Sequence, residues 1–402
     1  MKYLILLGDG MADLDIPELG NRTPIEVADT PLFHSFSKRG ILGTVKTVPD
    51  GMSPGSDVAN LSLMGYDTKQ FYTGRSPLEA ASIGIDLKPT DLALRCNLVT
   101  LSEDESYENK TMLDYSAGEI SSKEAKVLIE EINRKLGSDI FSFYAGTSYR
   151  NCLVISNGEK GTLTTPPHDI SSKQISQYLP KEIYGDVFLN LMKQSYEILK
   201  NHPINVKRKQ NGLKPANSIW LWGEGRKPSL VPFFDIYNKK AGVISAVDLI
   251  KGIGICASMK ILNVEGATGT LSTNYENKAQ ACIDGFIKDD LDFIYLHVEA
   301  SDECGHQGDL QGKILAIENL DKRLLSLIVF GLESAGVDLT IMVLPDHPTP
   351  ISLRTHTASP VPFFIYAKSM NNNNEPYSER ACKKSNLYFN NGVELLHYFF
   401  NV

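Results

Sequence analysis

Asp302 and His306 lie four residues apart in a polar segment, EASDECGH, that directly follows six strand-type apolar residues, Phe293 to Val298. Asp346 and His347 follow the apolar run Leu339 to Leu344, with His356 a short loop later, and Asp9 follows Tyr3 to Leu7 between two glycines that let the backbone approach a ligand closely. Carboxylates and imidazoles in near-equal numbers suit Mn²⁺ or Zn²⁺ better than Mg²⁺, which prefers all-oxygen surroundings. One D-x-x-x-H pair is weak, since most such pairs are incidental. Asp9, Ser56, Asp302, His306, Asp346, His347 and His356 together are too many for one ion, and two metals a few Å apart form the usual apparatus of phosphoryl transfer. Ser56 closes a Gly/Pro-rich loop, GMSPGSDVAN, that opens a helical apolar segment, where free N–H groups and the helix dipole favour negative charge on its oxygen. A serine in that position commonly does nothing but cap. Neighbouring cations are what would let it act as an alkoxide near neutral pH.

The elements that must position these groups read as buried parallel strands, each ending in ligands at the carboxyl edge of an open α/β sheet. Three distant strand ends would then converge on one volume. Thr30 is placed to cap a helix that Pro31 begins and Gly40 ends, and helices are expected over Ser122 to Leu136, Tyr184 to Lys200 and Lys313 to Leu332. Ser102 to Lys110 reads as a charged stretch and Asn371 to Asn374 as a polar turn. From about residue 85 to 235 strands and helices mix as in an α+β unit, between segments that each supply candidate ligands. The expected organisation is therefore a discontinuous catalytic domain, 1–84 with 236–402, carrying an inserted smaller α+β domain, 85–235, with linkers near Gly84 to Pro89 and Gly223 to Pro228. Hinges there would allow closure over substrate.

At 402 residues, 42% hydrophobic and 22% charged, the chain has the composition of a soluble globular protein too long for a single ordinary core. No apolar run approaches the roughly 20 residues that span a bilayer, and the N-terminal run stops at Gly8, so no membrane association and a cytoplasmic location are the expectation. Six scattered cysteines without a C-x-x-C pair suit reduced thiols, and Cys304 reads as a small residue of the ligand segment. A net charge of −8 argues against nucleic acid. It leaves room for an anionic small substrate, because bound cations and a few arginines can reverse the local field.

The segments GDGMAD, PGSDVANLSLMGYD, TGRSPLEAASIGIDL, RCNLVT, PANSIWLWGEG, ISAVDLIKGIG and VLPDHPTPISLRTHTASPVPF, with the central ligand segment, resemble the archaeal-type, cofactor-independent phosphoglycerate mutases of the alkaline phosphatase superfamily. The resemblance runs in order along nearly the whole chain. It implies an alkaline-phosphatase-like, mostly parallel sheet flanked by helices, and Ser56 as the nucleophile that carries the phosphoryl group. Asp9, Ser56, Asp346 and His347 would hold one Mn²⁺, and Asp302, His306 and His356 the other. It further implies a small phosphorylated substrate, no requirement for 2,3-bisphosphoglycerate, and substrate-binding groups in the inserted domain. Planar guanidinium forks suit phosphate and carboxylate, so Arg75, Arg95 and Arg150, with Lys251, are the candidates for substrate contact and catalysis. His168 and Asp169 are candidates for acid/base work or hydroxyl binding. Homoserine kinase and a metal-dependent phosphatase share such a metal and serine core and stand as alternative enzymes; a metal-binding scaffold without catalysis is the third reading. Oligomeric state is left open.

Overall fold

A computed structural model describes every residue except Asp104 and Asn373, so the Ser102 to Lys110 stretch and the Asn371 to Asn374 turn lie partly outside the described residues. In chain order the strands are β1 (Lys2–Gly8), β2 (Ile41–Val45), β3 (Leu92–Leu101), β4 (Met112–Asp114), β5 (Phe141–Thr147), β6 (Arg150–Ile155), β7 (Ser218–Gly225), β8 (Ala241–Ile244), β9 (Lys260–Ile261), β10 (Phe293–Val298), β11 (Leu339–Leu344), β12 (Val361–Tyr366) and β13 (Tyr388–Phe389). The chain divides into two compact units, Met1–Tyr72 with Leu230–Val402, and Thr73–Ser229.

The first unit holds an eight-stranded sheet in the order β13-β2-β12-β11-β1-β10-β8-β9. Its centre, β11-β1-β10-β8, is parallel throughout, while β12 runs antiparallel to both of its neighbours. The result is a mixed α/β fold with a large, mostly parallel sheet flanked by helices. Parallel strands covered on both faces must be apolar at successive positions, and Leu4 to Leu7 and Phe293 to Leu296 are all fully buried. Leu4, Leu6, Ile294, Leu296, Ile341 and Val343 share one core with Ala316, Ile317, Leu320 and Ile328 of the chain after residue 310. On the other face, Phe293 packs edge-on against Phe400 of the C-terminal helix Gly392–Phe400. Truncating Leu296 to alanine in such a site costs about 2–5 kcal/mol.

Register brings the ligand-bearing ends level. Leu7 lies opposite both His297 of β10 and Leu344 of β11, so the residues that follow, Asp9 and Asp346, leave the sheet side by side.

The second unit holds a five-stranded sheet around β3, which pairs antiparallel with β4, β6 and β7, while β5 pairs with β6. Leu94, Leu98, Leu153, Ile219 and Leu221 form its core with Leu128 and Ile132 of the helix Ser122–Leu136 and Phe188 and Met192 of the helix Gly185–Leu199. The division between units falls earlier than expected on both sides. Ala80 of the helix Ser76–Ser82 shares an apolar cluster with Leu87, Ala93, Cys152 and Val154, which holds that helix in the second unit. On the return, the Tyr66 hydroxyl donates to the Val231 carbonyl and Phe233 stacks on Phe293, which returns the chain to the first unit before residue 235.

Two local expectations are corrected. Thr30 makes no capping hydrogen bond at the helix Pro31–Arg39. Its free N–H groups are met from outside by Asp321, whose carboxylate accepts from Phe33 at 2.7 Å and Leu32 at 3.3 Å, a stronger charge-assisted cap than a hydroxyl provides. Asp321 is presented by a π-helical segment, Leu320–Leu325, that interrupts the single helix expected over Lys313 to Leu332 between Leu310–Asn319 and Ser326–Ser334.

Candidate active site

At the carboxyl edge, Asp9, Asp346 and His347 place ligand atoms within 4.8 Å of one another, and so do Asp302, His347 and His356. His347 is common to both groups. His306 adjoins the second, its Nε2 2.9 Å from His356 Nε2 and 3.2 Å from Asp302 Oδ2. The polar segment carrying Asp302 and His306 is regular. It forms the helix Ala300–Gln307, and a spacing of four residues aims both side chains along one helix face. Gly10, at φ 60°, permits the close packing: a Cβ there would lie 2.6 Å from Asp302 Oδ1.

Ser56 opens the helix Ser56–Leu63 as its first residue, with Gly55 at the cap position and no side-chain cap bond. Ser56 therefore sits one residue past the cap position. Its Oγ instead lies 3.2 Å from His347 Nε2.

Hydrogen bonding fixes how the three imidazoles face. Nδ1–H of His306 donates to the Arg354 carbonyl at 3.0 Å, and Nδ1–H of His356 donates to the Pro54 carbonyl at 3.3 Å. The Thr349 hydroxyl donates to Asp302 and so accepts from His347 Nδ1 at 3.3 Å. Each Nε2 is therefore turned into the cluster, where its lone pair takes a proton, given by His306 and His356 to Asp302, in the metal-free chain or is available to a metal ion. Two such lone pairs 2.9 Å apart need a proton or a cation between them. Asp9 Oδ1 is buried without a hydrogen-bond partner among the described residues. Burial, and then the neighbouring Asp346 and Asp302 carboxylates, push the Asp9 carboxyl well above its ordinary range. Burial works in the same direction on Asp302, but hydrogen bonds from His306 and His356 outweigh it and hold that carboxyl low. The hydrogen bond to Asp302 lifts His306 to about 9. A buried cluster of carboxylates and inward lone pairs with an orphaned oxygen fits divalent metal ions, with Asp9, Ser56, Asp302, His306, Asp346, His347 and His356 as the groups that could hold them.

The residues that support this cluster escaped sequence reading. His297, inside β10, bonds Asp9 Oδ2 through Nε2 at 2.8 Å and Ser245 Oγ through Nδ1 at 3.1 Å. Burial lowers its pKa to about 3, so it is a neutral donor that orients Asp9. Lys313, fully buried, donates to Asp13 Oδ2, the Ala12 carbonyl and the Thr349 carbonyl at 2.7, 3.2 and 2.8 Å, tying the turn after β1 to the loop after β11.

The candidate substrate groups fall in two places. Lys251 belongs to the first unit, in the helix Asp248–Cys256, 3.9 Å from Asp248. Arg75, Arg95, Arg150, His168 and Asp169 belong to the second. There Glu79, largely buried and also unforeseen, receives Arg75 Nε on one oxygen at 2.9 Å and Arg95 Nε on the other at 2.8 Å. The Arg95 guanidinium lies 4.5 Å over the Trp222 ring, and His168 meets that ring edge-on at 5.4 Å. Arg150 lies over Tyr149, exposed, and Asp169 is exposed 3.7 Å from His168.

A family profile described as 2,3-bisphosphoglycerate-independent phosphoglycerate mutase matches residues 37–205. The protein of that name from Methanosarcina barkeri is 47% identical over 390 residues, covering 96% of each chain. Its counterpart from Methanosarcina acetivorans is 50% identical over 368 residues, covering 91% of this chain and 90% of the relative. Among solved structures, a Pyrococcus horikoshii protein superposes with a TM-score of 0.83 at 28% identity over 100% of this chain and 96% of its own. The cofactor-independent phosphoglycerate mutase of Thermoplasma acidophilum does so at 0.65 and 25% identity, over 100% of this chain and 99% of its own. Identity at this level, sustained across nearly the full length of both sequences, has one meaning: the chain belongs to the family of 2,3-bisphosphoglycerate-independent phosphoglycerate mutases.

Proposed function

We propose that the chain interconverts 3-phosphoglycerate and 2-phosphoglycerate through a phosphoserine at Ser56, without 2,3-bisphosphoglycerate, as a cytoplasmic step of glycolysis and gluconeogenesis. The observation that carries this reading is the Ser56 hydroxyl, freed from capping and 3.2 Å from His347 within the carboxylate and imidazole cluster. The names of the relatives support the substrate pair.

In this reading Asp9, Ser56, Asp346 and His347 would hold one divalent ion and Asp302, His306 and His356 the other, with Mn²⁺ or Zn²⁺ suited to the mixed donor set better than Mg²⁺ and Mn²⁺ favoured by the family resemblance. Bound ions would supply charge to stabilise the serine alkoxide and the phosphoryl oxygens. Ser56 Oγ forms a bond to phosphorus as the bond to the substrate 3-oxygen breaks, and that oxygen takes up a proton. The glycerate is then re-presented, its 2-hydroxyl gives up a proton and attacks phosphorus, and the bond to Ser56 Oγ breaks. Arg75, Arg95, Arg150 and Lys251 bind the phosphate and carboxylate, and His168 and Asp169 handle the glycerate hydroxyls. In keeping with its arginines, the inserted unit serves as the substrate-binding cap. Exclusion of water from the site keeps the phosphoserine from hydrolysis.

The test is a coupled assay with 3-phosphoglycerate and Mn²⁺, joined to mass spectrometry of acid-quenched protein. Formation of 2-phosphoglycerate and a phosphorylated Ser56 peptide is expected, both lost in Ser56→Ala. Phosphate release without 2-phosphoglycerate would make the chain a phosphatase, and transfer from ATP to homoserine a kinase. Full turnover by Ser56→Ala would remove the covalent step.

A further inference from the structure

We infer that Asn60, supported by Tyr295, is a positioning residue that locks the Ser56 turn of its helix to the Asp346 carboxylate; the inference rests on Ser56 being the phosphoryl carrier. Asn60 lies one helical turn beyond Ser56 and is fully buried among Val58, Ala59, Leu61 and Leu63, where an apolar side chain would be the simple choice. Asparagine is a poor helix former, and a buried amide is costly unless every polar atom is met. Here each one is. Nδ2 donates to the Ser56 carbonyl at 2.8 Å and to Asp346 Oδ2 at 2.8 Å, and Oδ1 accepts from the Tyr295 hydroxyl at 2.6 Å.

The amide cannot be reversed. The Ser56 carbonyl and the Asp346 carboxylate only accept, so both require the nitrogen, and Tyr295 must then donate. Burial keeps the Tyr295 hydroxyl protonated for that purpose. Asp346 is held at its other oxygen by the backbone N–H groups of His347 at 2.9 Å and Gly10 at 3.2 Å. Asn60 thus completes a rigid bridge from the backbone of the serine, through a carboxylate of the cluster, to the turn after β1. Its predicted task is to keep Ser56 Oγ aligned for attack, not to hold substrate.

Asn60→Ala and the volume-filling Asn60→Leu should both fold, still gain melting temperature on addition of Mn²⁺, and bind Mn²⁺ in calorimetric titration within about 10- to 100-fold of the parent. At saturating Mn²⁺ both should lose about 100-fold in kcat, and in the rate of Ser56 phosphorylation, with KM for 3-phosphoglycerate nearly unchanged, because misplacement of a reacting group acts on the transition state. Tyr295→Phe, which removes one supporting hydrogen bond, should lose about fivefold. Recovery of turnover in Asn60→Leu, parental turnover in both variants, or loss of Mn²⁺ binding that accounts for the whole defect would overturn the inference. Should neither Asn60 variant fold, a parental rate in Tyr295→Phe overturns it. Turnover that survives Ser56→Ala discredits the phosphoserine reading itself, whereas an inactive Ser56→Ala beside fully active Asn60 variants discredits only the bridge.

Discussion

The cluster at the carboxyl edge of the large sheet and the arginine cluster of the inserted unit handle buried charge in opposite ways. Around Asp9 the acids face one another, and burial and then the Asp346 and Asp302 carboxylates push the carboxyl up. Around Glu79, burial would raise the carboxyl, but Arg95 and then Arg75 reverse the effect and hold it low. One carboxylate there fixes two guanidinium groups through Nε, and two positive charges against one negative leave the cluster cationic. The first region is an arrangement that must recruit positive charge. The second is one that already carries it in a fixed orientation, suited to an anion.

The contrast breaks most visibly on metal removal. Dialysis against a chelator should cut turnover by at least about 1000-fold, with restoration by Mn²⁺ in the coupled assay. In the metal-free state Asp9→Asn should melt above the parent, since it removes the group that resists ionisation, yet it should gain less from added Mn²⁺. A metal-free Asp9→Asn protein that melts lower would mean the cluster is not charge-frustrated. Next in size is Glu79→Gln, which leaves two guanidinium groups without their partner. A stability loss of about 3 kcal/mol in urea unfolding is expected, with a rise in KM for 3-phosphoglycerate of about tenfold and little change in kcat. Unchanged KM would show that the pairing with Glu79 does not orient the arginines for substrate.

Glu379 sharpens the comparison as an intermediate case. It receives the Thr23 hydroxyl at 2.6 Å and the Asp13 N–H at 3.2 Å but, among the described residues, no cation, and burial raises it to about 7. Between its unfolded value near 4.5 and about 7 the folded chain holds the extra proton, so stability falls as pH rises through that window and is level above it. The loss is on the order of 3 kcal/mol. Glu379→Gln should flatten this part of the curve of melting temperature against pH; an unaltered slope would place the titration elsewhere.

What the sequence discloses follows from how local each cause is. β10 and β11 are legible to the residue because continuous apolar runs bounded by polar residues have no other stable use in a covered sheet. Ligand candidates at their ends are legible for the same reason. The helix Ala300–Gln307 was not, since ASDECGHQ lacks an apolar period and becomes helical through its packing. His297 lies within an apolar strand, and its purpose arises only from the register that sets it opposite Leu7, two residues before Asp9. Glu79 and Asp321 act on partners through contacts that no spacing rule encodes.

The π-helical turn at Leu320–Leu325 carries one consequence for how this chain tolerates change. A π turn absorbs one surplus residue, so the helices on either side keep their faces and losing that residue only restores α-helical winding, whereas losing a residue from the regular helix Leu310–Asn319 would swing everything beyond it by about 100°. Asp321 would then leave the end of the helix Pro31–Arg39, and Leu320, which a Cβ on Gly8 would approach to 2.7 Å, would turn away from the strand end that delivers Asp9. A single-codon deletion in Leu310–Asn319 would thus misalign Asp9, while one within the π turn would leave the flanking helices facing as before.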